Sequence, residues 1–171
     1  MKKYLLLILS YFFILSASTG QERVVSKEEM NIWQMADDTA KVNRLNEYAE
    51  KIQFSKPVRA IENMEMAIAI AQKLRYSYGL SVAFGLRASL LFYEMKIDSC
   101  RLLLDKAYGL VIDKKDRASR SQVANILNRY AAINQRRQNY DSAVEQYLQA
   151  ANIFKDMGDN SKIIFSYYNL S

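Results

Sequence analysis

The spacing of apolar residues along most of this chain predicts α-helices. In the stretch TAKVNRLNEYAEKIQF, apolar residues recur at steps of three and four, which places them on one helical face. Further helical stretches follow: PVRAIENMEMAIAIAQKLRY, LSVAFGLRASLLFYEM, IDSCRLLLDKAYGLVI, RSQVANILNRYAAINQRR and YDSAVEQYLQAANIFKDM. No stretch shows sustained strand-type alternation, and Gly and Pro are scarce, at 5 and 1. The pattern therefore predicts an all-α fold.

Short signals mark where these helices begin. Asp37 and Asp38 precede the first stretch and can cap it. Pro57 suits the first turn of the second stretch, where its missing N–H is not needed. We expect Asp98 and Asp141 to cap two of the later helices.

One spacing of small and large residues occurs three times. The second helix of each predicted pair carries a small, a bulky and a second small residue at the same offsets: Ala60, Met64 and Ala67; Cys100, Leu104 and Ala107; Ala143, Tyr147 and Ala150. The helix before each carries one matching small residue: Ala49, Ala88 and Ala131. Small residues let two helix backbones approach, and the bulky residue fills the gap made by a neighbouring hairpin. Since one hairpin cannot bury its apolar face alone, the recurrence predicts stacked hairpins.

This pattern resembles the tetratricopeptide repeat, in which a Leu-Gly pair on the first helix is followed by Ala, an aromatic residue and Ala on the second. The segment YDSAVEQYLQA matches the second-helix part closely. The period is 40 residues from Ala60 to Cys100 and 43 from Cys100 to Ala143, against about 34 in the family, and each unit lacks the closing Pro. The resemblance covers about residues 39–171. It implies a right-handed solenoid of antiparallel helical hairpins.

The predicted organisation of the chain follows from these signals. Its parts are a signal peptide (1–20), a helical lead-in or cap (21–38), hairpin 1 (39–77), hairpin 2 (78–117), hairpin 3 (118–160) and the first helix of an incomplete hairpin 4 (161–171).

The first 20 residues have the layout of a secretory signal peptide. MKK supplies a positive start, Tyr4 to Ala17 forms a 14-residue apolar run, and small residues precede Gln21. We place cleavage after Gly20, with Ser18 as the second choice. The run is shorter than the roughly 18–20 residues of a membrane span, so an uncleaved anchor is the alternative. The prediction is export to the periplasm or cell envelope.

A narrower resemblance concerns the exported repeat region of Bacteroidetes-type sensor and regulatory proteins. The signal-like start, the lead-in DDTAKVNRLNEYAEKI and turns of the KLRYSYG and DMGDN kind are similar to that region. In that group the region often precedes a membrane helix and a histidine kinase or DNA-binding module. Ser171 falls inside the first helix of the predicted fourth hairpin. We therefore expect the chain to be a piece of a longer protein.

Composition excludes several kinds of chemistry from these residues. The chain has no His, which excludes His-based acid/base catalysis and His-containing metal sites. Cys100 is the single Cys and cannot form an intramolecular disulfide, so we expect a small core residue. Phosphate-binding glycine loops, nucleophile elbows and metal-ligand spacings are absent from the sequence. We predict no enzyme activity and no cofactor or metal here, while a catalytic module beyond Ser171 stays open.

The charge of the chain is mildly basic. The net charge of +6 falls to +4 if Lys2 and Lys3 leave with the signal peptide. The densest basic groups, KKDR and RR, are short, so we do not predict nucleic-acid binding.

In the repeat resemblance, the first helix of each hairpin lines a concave groove. Its outward residues are expected two before, one after, and four to five after the small packing residue, allowing for helical rotation. The candidates are Asn43, Asn46, Glu50, Gln53, Ser89, Phe92, Tyr93, Asn125, Asn128, Gln135 and Arg136. Amide and aromatic side chains suit hydrogen bonding to a peptide backbone and stacking. Glu50 argues against the Lys and Asn carboxylate clamp of chaperone-binding repeats, so that activity is not predicted.

These features favour an exported repeat domain that binds a protein or peptide, as the sensory or interaction region of a signalling protein. One alternative is a free-standing periplasmic scaffold for envelope protein assembly. Another is a cytoplasmic repeat-containing transcription regulator, which requires residues 1–20 not to be a signal. Membrane contact is expected only through an uncleaved signal or a segment beyond Ser171. Self-association through the open C-terminal end is a further option.

The segment 161–171 lacks a partner helix in this interpretation, so we expect it to fray in a monomer. Native-state hydrogen exchange measures this directly, and we expect its amides to exchange faster than those of residues 140–157. Equal protection of the two segments in a monomer would show that the last helix is stable without a partner.

Overall fold

The computed structural model describes residues 25–168, which form eight α-helices and no β-strand. The helices are α1 (Lys27–Trp33), α2 (Thr39–Ile52), α3 (Pro57–Lys73), α4 (Ser77–Tyr93), α5 (Ile97–Gly109), α6 (Arg117–Arg136), α7 (Tyr140–Asp156) and α8 (Asn160–Tyr168). The all-α prediction is confirmed over this range. The predicted signal peptide, 1–20, lies outside the described residues. Within 25–168, no helix is both long and apolar enough to cross a membrane.

The residues up to Asn31 and those from Ile32 onward form two compact units. In the first, the backbone N–H of Glu29 donates to Ser26 Oγ (3.1 Å) at the start of α1. A Ser at this position satisfies a backbone donor that the helix itself leaves without a partner. The second unit contains the remaining helices and the candidate site.

Neighbouring helices in sequence pack on one another in the second unit. The most extensive contacts lie within the pairs α2–α3, α4–α5 and α6–α7, and α8 packs on α7. Helix α4 also contacts α2 and α6, so the first helices of successive pairs lie side by side. This order of contacts is consistent with a helical solenoid.

The residues of the repeated small-large-small pattern all lie inside this unit. The twelve side chains, including the matching small residues on the preceding helices, are at most 3% exposed. They belong to one apolar cluster around α2, α3 and α4, a second around α4 to α7, and a third where Ala131 meets Ala143 and Tyr147. Helix α4 contributes to two clusters, since Leu86 belongs to the first and Ala88 to the second. The core is therefore shared between successive helix pairs.

Buried polar side chains join the first helices of the pairs. Asn46 Nδ2 on α2 donates to the carbonyl of Gly79 on α4 (2.9 Å), and Gln122 Nε2 on α6 donates to the carbonyl of Ser81 (3.2 Å). Asn128 Nδ2 on α6 donates to a hydroxyl on α8 (3.1 Å). Each bond satisfies a buried donor, and together they connect α2, α4, α6 and α8.

Four turns between consecutive helices share one backbone geometry. The residue after each helix C-cap has a φ between 53° and 69°, in the left-handed region, and these residues are Arg75, Met95, Gln138 and Gly158. In each turn the following N–H bonds a carbonyl five residues back, as from Tyr76 to Ala71 (2.9 Å). This is the Schellman arrangement. Because three of the four positions are not Gly, backbone hydrogen bonds and packing must hold these turns against a steric cost.

The predicted caps at Asp98 and Asp141 are wrong. Helices α5 and α7 begin after Lys96 and Asn139, neither of which makes a side-chain cap bond, and the two Asp residues lie in the first turn. The reason is the preceding Schellman turn, whose last residue is already the helix N-cap, so each helix begins before the Asp. Where no such turn precedes the helix, the prediction is correct, since Asp38 Oδ1 accepts from the N–H of residue 41 at the start of α2 (2.8 Å).

Residues 33–35, just before α2, contact the first helix pair through hydrogen bonds and a ring contact. Trp33 Nε1 donates to Asn63 Oδ1 on α3 (3.1 Å), and the Arg59 guanidinium lies over the Trp33 ring, 5.1 Å from its centroid. Buried Lys41 donates from Nζ to the carbonyls of Trp33 and Met35 (3.0 and 3.1 Å). Trp33 thus packs on the first helix pair.

Two leucines on α5 allow a test of the core assignment. Leu104 is fully buried and Leu102 is 57% exposed. Leu104→Ala should lower the free energy of unfolding by about 2–5 kcal/mol, because it leaves a cavity between helices. Leu102→Ala should change it by less than about 0.5 kcal/mol. Urea denaturation followed by circular dichroism measures both, and equal losses would contradict the assignment.

Candidate functional site

A cavity of about 660 Å³ lies along the first helices of the pairs. Most of its lining comes from α2, α4 and α6, with Cys100, Tyr147 and Lys162 added from α5, α7 and α8. The residues from α2 and the turn after it, from α4 and from α6 are, in that order, Glu50, Gln53, Phe54; Tyr78, Val82, Leu86, Ser89, Phe92, Tyr93; and Ser121, Gln122, Asn125, Asn128, Arg129, Ala132. The lining mixes aromatic, aliphatic, amide and charged side chains.

Helical periodicity explains why these residues share one surface. On α4, residues 82, 86, 89 and 93 are separated by three or four positions, and on α6 the same holds for 122, 125, 129 and 132. Such spacing places side chains on one helical face. Since α4 contacts both α2 and α6, the three faces meet at one cavity.

The structure places seven predicted groove residues in this lining and four outside it. The seven are Glu50, Gln53, Ser89, Phe92, Tyr93, Asn125 and Asn128. The four outside are Asn43, Asn46, Gln135 and Arg136.

The two asparagines of α2 that lie outside the lining face other groups. Asn46 is buried, and its Nδ2 bond to the Gly79 carbonyl makes it part of the contact with α4. Asn43 is half-buried, and its Oδ1 accepts from the Tyr76 hydroxyl (3.1 Å). Both side chains therefore contact residues at the start of α4 and lie outside the lining.

The two predicted residues at the end of α6 are also outside the lining. Gln135 and Arg136 follow Ala132, the last residue that α6 contributes to the cavity. Gln135 Oε1 accepts from the Tyr147 hydroxyl (3.4 Å). The Arg136 guanidinium stacks on Phe92, 4.8 Å from the ring centroid, and donates to the Phe92 carbonyl (3.3 Å). These contacts hold both side chains beyond the cavity.

Several lining residues were missed by the sequence interpretation, and Arg129 is the most important. For some of the missed residues, the offset rule stated above already contained a signal. Two before and one after Ala131 are Arg129 and Ala132, and five after Ala49 is Phe54, all of which line the cavity. Tyr78, Gln122 and Lys162 have no such signal, because their positions depend on how helices from different pairs meet.

Arg129 has only neutral hydrogen-bond partners. Its Nε donates to Ser89 Oγ (2.9 Å) and its Nη1 to the Asn125 carbonyl (3.4 Å). It forms no ion pair with any residue in 25–168. Burial lowers the pKa of Arg129, while the negative charge of Glu50 acts in the opposite direction. An arginine stays protonated at neutral pH, so the cavity holds this positive charge together with the negative charge of Glu50.

Two amide oxygens of the lining residues have no hydrogen-bond partner among residues 25–168. They are Gln53 Oε1 and Asn128 Oδ1, and each side chain is 7% exposed. A buried acceptor without a partner costs about 1–3 kcal/mol. Both oxygens are enclosed by protein atoms, so a donor in the cavity can reach them only if neighbouring side chains move.

Burial shifts two titratable groups of the lining towards their neutral forms. Cys100 lines the cavity, but burial raises its pKa to about 11, so the thiol is protonated at neutral pH. Burial, followed by the charges of Tyr76 and Glu50, raises the pKa of Tyr78 as well. Within the described part of the chain, no group of three or more acidic, Cys or His side chains is placed to hold a metal ion.

No family model and no curated protein matches this sequence. Among solved structures, the chain is similar to the crystal structure of BtubC (BKLC) from P. vanneervenii, with a TM-score of 0.48 and 17% sequence identity. The likeness covers 85% of this chain and 65% of BtubC, so the chain spans less than two thirds of that protein. A likeness at this level supports no inference about what this chain binds.

Cys100 should react slowly with a soluble alkylating reagent. A pKa of about 11 instead of the ordinary 9.0 lowers the thiolate fraction at about pH 8 roughly 100-fold. The labelling rate, followed by mass spectrometry, should rise about tenfold per pH unit as the pH approaches the raised pKa. The double variant Cys100→Ala/Ser99→Cys places a thiol at the exposed neighbouring position and provides the control. Equal rates for the two proteins would contradict a buried, protonated Cys100.

Proposed function

We propose that this chain is a tetratricopeptide-like repeat domain that binds a protein or peptide segment in the cavity lined by α2, α4 and α6. The observation that carries the proposal is Arg129, which lines the cavity beside aliphatic and aromatic surface and whose hydrogen bonds go only to neutral groups. A ligand that brings both hydrogen-bond acceptors and apolar side chains complements this lining.

A peptide backbone has the required chemistry, because it presents carbonyl acceptors along its length. These carbonyls can accept from Arg129, whose fixed fork of donors is only partly used.

The apolar part of the lining fits the side chains of such a segment. Val82 and Leu86 are aliphatic, while Phe92 and Tyr93 provide aromatic surface on the same helix. A cavity of about 660 Å³ lies within the roughly 300–1,000 Å³ range of binding pockets. The combination of apolar surface and a few polar groups is typical of ligand-binding pockets.

The wider role follows from the sequence resemblance. The signal-like start and the Bacteroidetes-type lead-in and turns support an exported domain that acts as the sensory or interaction region of a longer signalling protein. Ligand binding across α2, α4 and α6 would then bias how successive helix pairs pack, and that change would pass along the chain.

Two exposed tyrosines test the location of the binding surface. Peptides are first selected by display on the full chain, and the affinity of the strongest is measured by titration calorimetry. Tyr93→Ala should weaken binding about tenfold, because Tyr93 lines the cavity and aromatic residues often dominate interfaces.

Tyr140→Ala is the matched control, since Tyr140 is 60% exposed, close to the 65% of Tyr93, but lies on α7 away from the lining. Its binding should be unchanged. Failure to enrich any peptide, or equal loss in both variants, would overturn the proposed site.

A further inference from the structure

One end of the helix stack collects the turns that follow the second helix of each pair. These stretches, 73–76, 110–117 and 155–159, lead from α3 to α4, from α5 to α6 and from α7 to α8. Side-chain bonds join the helix starts beside them. Gln122 on α6 donates to the Ser81 carbonyl on α4 (3.2 Å), and Lys162 on α8 donates to Ser121 Oγ on α6 (2.9 Å). The three stretches therefore lie side by side, and we call this surface the basic end.

The basic end carries exposed positive charge that the protein leaves unpaired. Within residues 25–168, none of its six exposed cations forms an ion pair, and these are Lys73, Arg75, Lys114, Lys115, Arg117 and Lys155. Two carboxylates of this end already have cations of their own. Asp156 pairs with Arg120 (3.4 Å) and Asp159 with Lys162 (3.7 Å).

The other carboxylates at this end do not balance the six cations. At the start of α2, Asp37 pairs with Lys41 (2.9 Å), while Asp38 accepts a backbone N–H. Asp116 likewise accepts a backbone N–H at the start of α6 (2.9 Å), and Asp113 is exposed in the turn before it. Six unpaired cations against Asp38, Asp113 and Asp116 leave a net charge of +3.

Helix dipoles explain only part of this charge. Lys73 and Lys155 lie in the last turns of α3 and α7, where a cation stabilises the helix. Lys114 and Lys115 lie between helices, and Arg117 is the first residue of α6, where a cation is unfavourable. These positions favour a partner outside the protein as the reason for the charge.

The turns at the opposite end of the stack show a contrast. Lys96 Nζ lies 2.7 Å from a Glu94 oxygen, and Arg137 Nη2 lies 2.6 Å from Asp98 Oδ1. Cations there are paired within the protein, so the excess of unpaired positive charge is larger at the basic end.

Two aliphatic side chains stand exposed among the cations. Leu74 lies between Lys73 and Arg75 and is 41% exposed, and Ile112 lies two residues before Lys114 and is 40% exposed. Apolar side chains between Lys and Arg are typical of surfaces that lie on anionic bilayers, where phosphates take the cations and the headgroup boundary takes the apolar groups. A nucleic acid or an acidic polypeptide would satisfy only the cations.

We infer that the basic end binds the surface of an anionic lipid bilayer, with Leu74 and Ile112 at the headgroup boundary and the six cations on lipid phosphates. The sequence shows only short basic groups, because the three turns are far apart along the chain and meet only in the fold. None of the six cations lines the cavity between α2, α4 and α6, so this inference does not depend on the proposed function.

A dye at the basic end tests this contact locally. Cys100→Ala/Ala118→Cys places the one thiol at an exposed position in the first turn of α6, beside Arg117, for an environment-sensitive fluorophore. Cys100→Ala/Ser99→Cys places it in the first turn of α5, at the opposite end, as the control. Vesicles of equal parts phosphatidylglycerol and phosphatidylcholine should shift the emission at position 118 to shorter wavelength and leave position 99 unchanged. Phosphatidylcholine vesicles should shift neither.

Charge variants of the chain labelled at position 118 examine the cations. Lys114→Gln/Lys115→Gln should weaken binding to the mixed vesicles at least about tenfold, because two of the six cations are lost. Lys56→Gln/Lys96→Gln removes the same charge from exposed positions at the opposite end and should bind within about twofold of the parent. Added salt should weaken binding of the parent, since it screens exposed charges.

Several results would overturn the inference. They are equal shifts at positions 118 and 99, equal affinities of the two double variants, and no shift with the mixed vesicles. If inorganic phosphate at the same phosphate concentration shifts the dye equally, the end binds the anion and not the bilayer. If polyglutamate shifts the dye and vesicles do not, the partner is an acidic polypeptide, and the bilayer is again rejected.

Discussion

The close approach of neighbouring helices at small residues, both within a pair and between pairs, is the constraint on which this structure depends. Ala49 and Ala60 are fully buried, and a side chain built on Gly79 would lie 2.5 Å from Val42 Cγ1. A larger residue at such a position would push the helices apart. The same approach places the faces of α2, α4 and α6 side by side, so the cavity is a consequence of how the pairs pack.

The packing residues were predictable because their size is the signal. Ala, Met, Cys, Leu and Tyr at repeated offsets describe a contact that recurs from pair to pair, and no knowledge of the rotation of each helix is needed to find it. The helix starts at Asp98 and Asp141 were not predictable in the same way. Their positions depend on Schellman turns in which Met95 and Gln138 adopt left-handed conformations, where Gly is the residue expected.

The residues that line the groove were harder to predict. The direction in which a side chain points depends on the rotation of its own helix and on the helices packed against it. Asn46 and Asn128 sit at the same offset, three residues before Ala49 and Ala131. Nevertheless, Asn46 donates a hydrogen bond to a carbonyl of α4 and lies outside the cavity, while Asn128 donates to Ser166 and still lines the cavity. A sequence repeat specifies which side chains are small, but the partners of a polar side chain differ from one pair to the next.

The buried amide bonds between α2, α4, α6 and α8 have a mechanical consequence. Apolar surfaces can slide over one another with little change in contact, but Asn46 and Gln122 each bond a single backbone carbonyl. A shift of one helix pair past the next by a helical turn would leave these donors buried and unsatisfied. The stack is therefore stiff against shear, so the relative motion of its helix pairs is confined to bending about these fixed bonds.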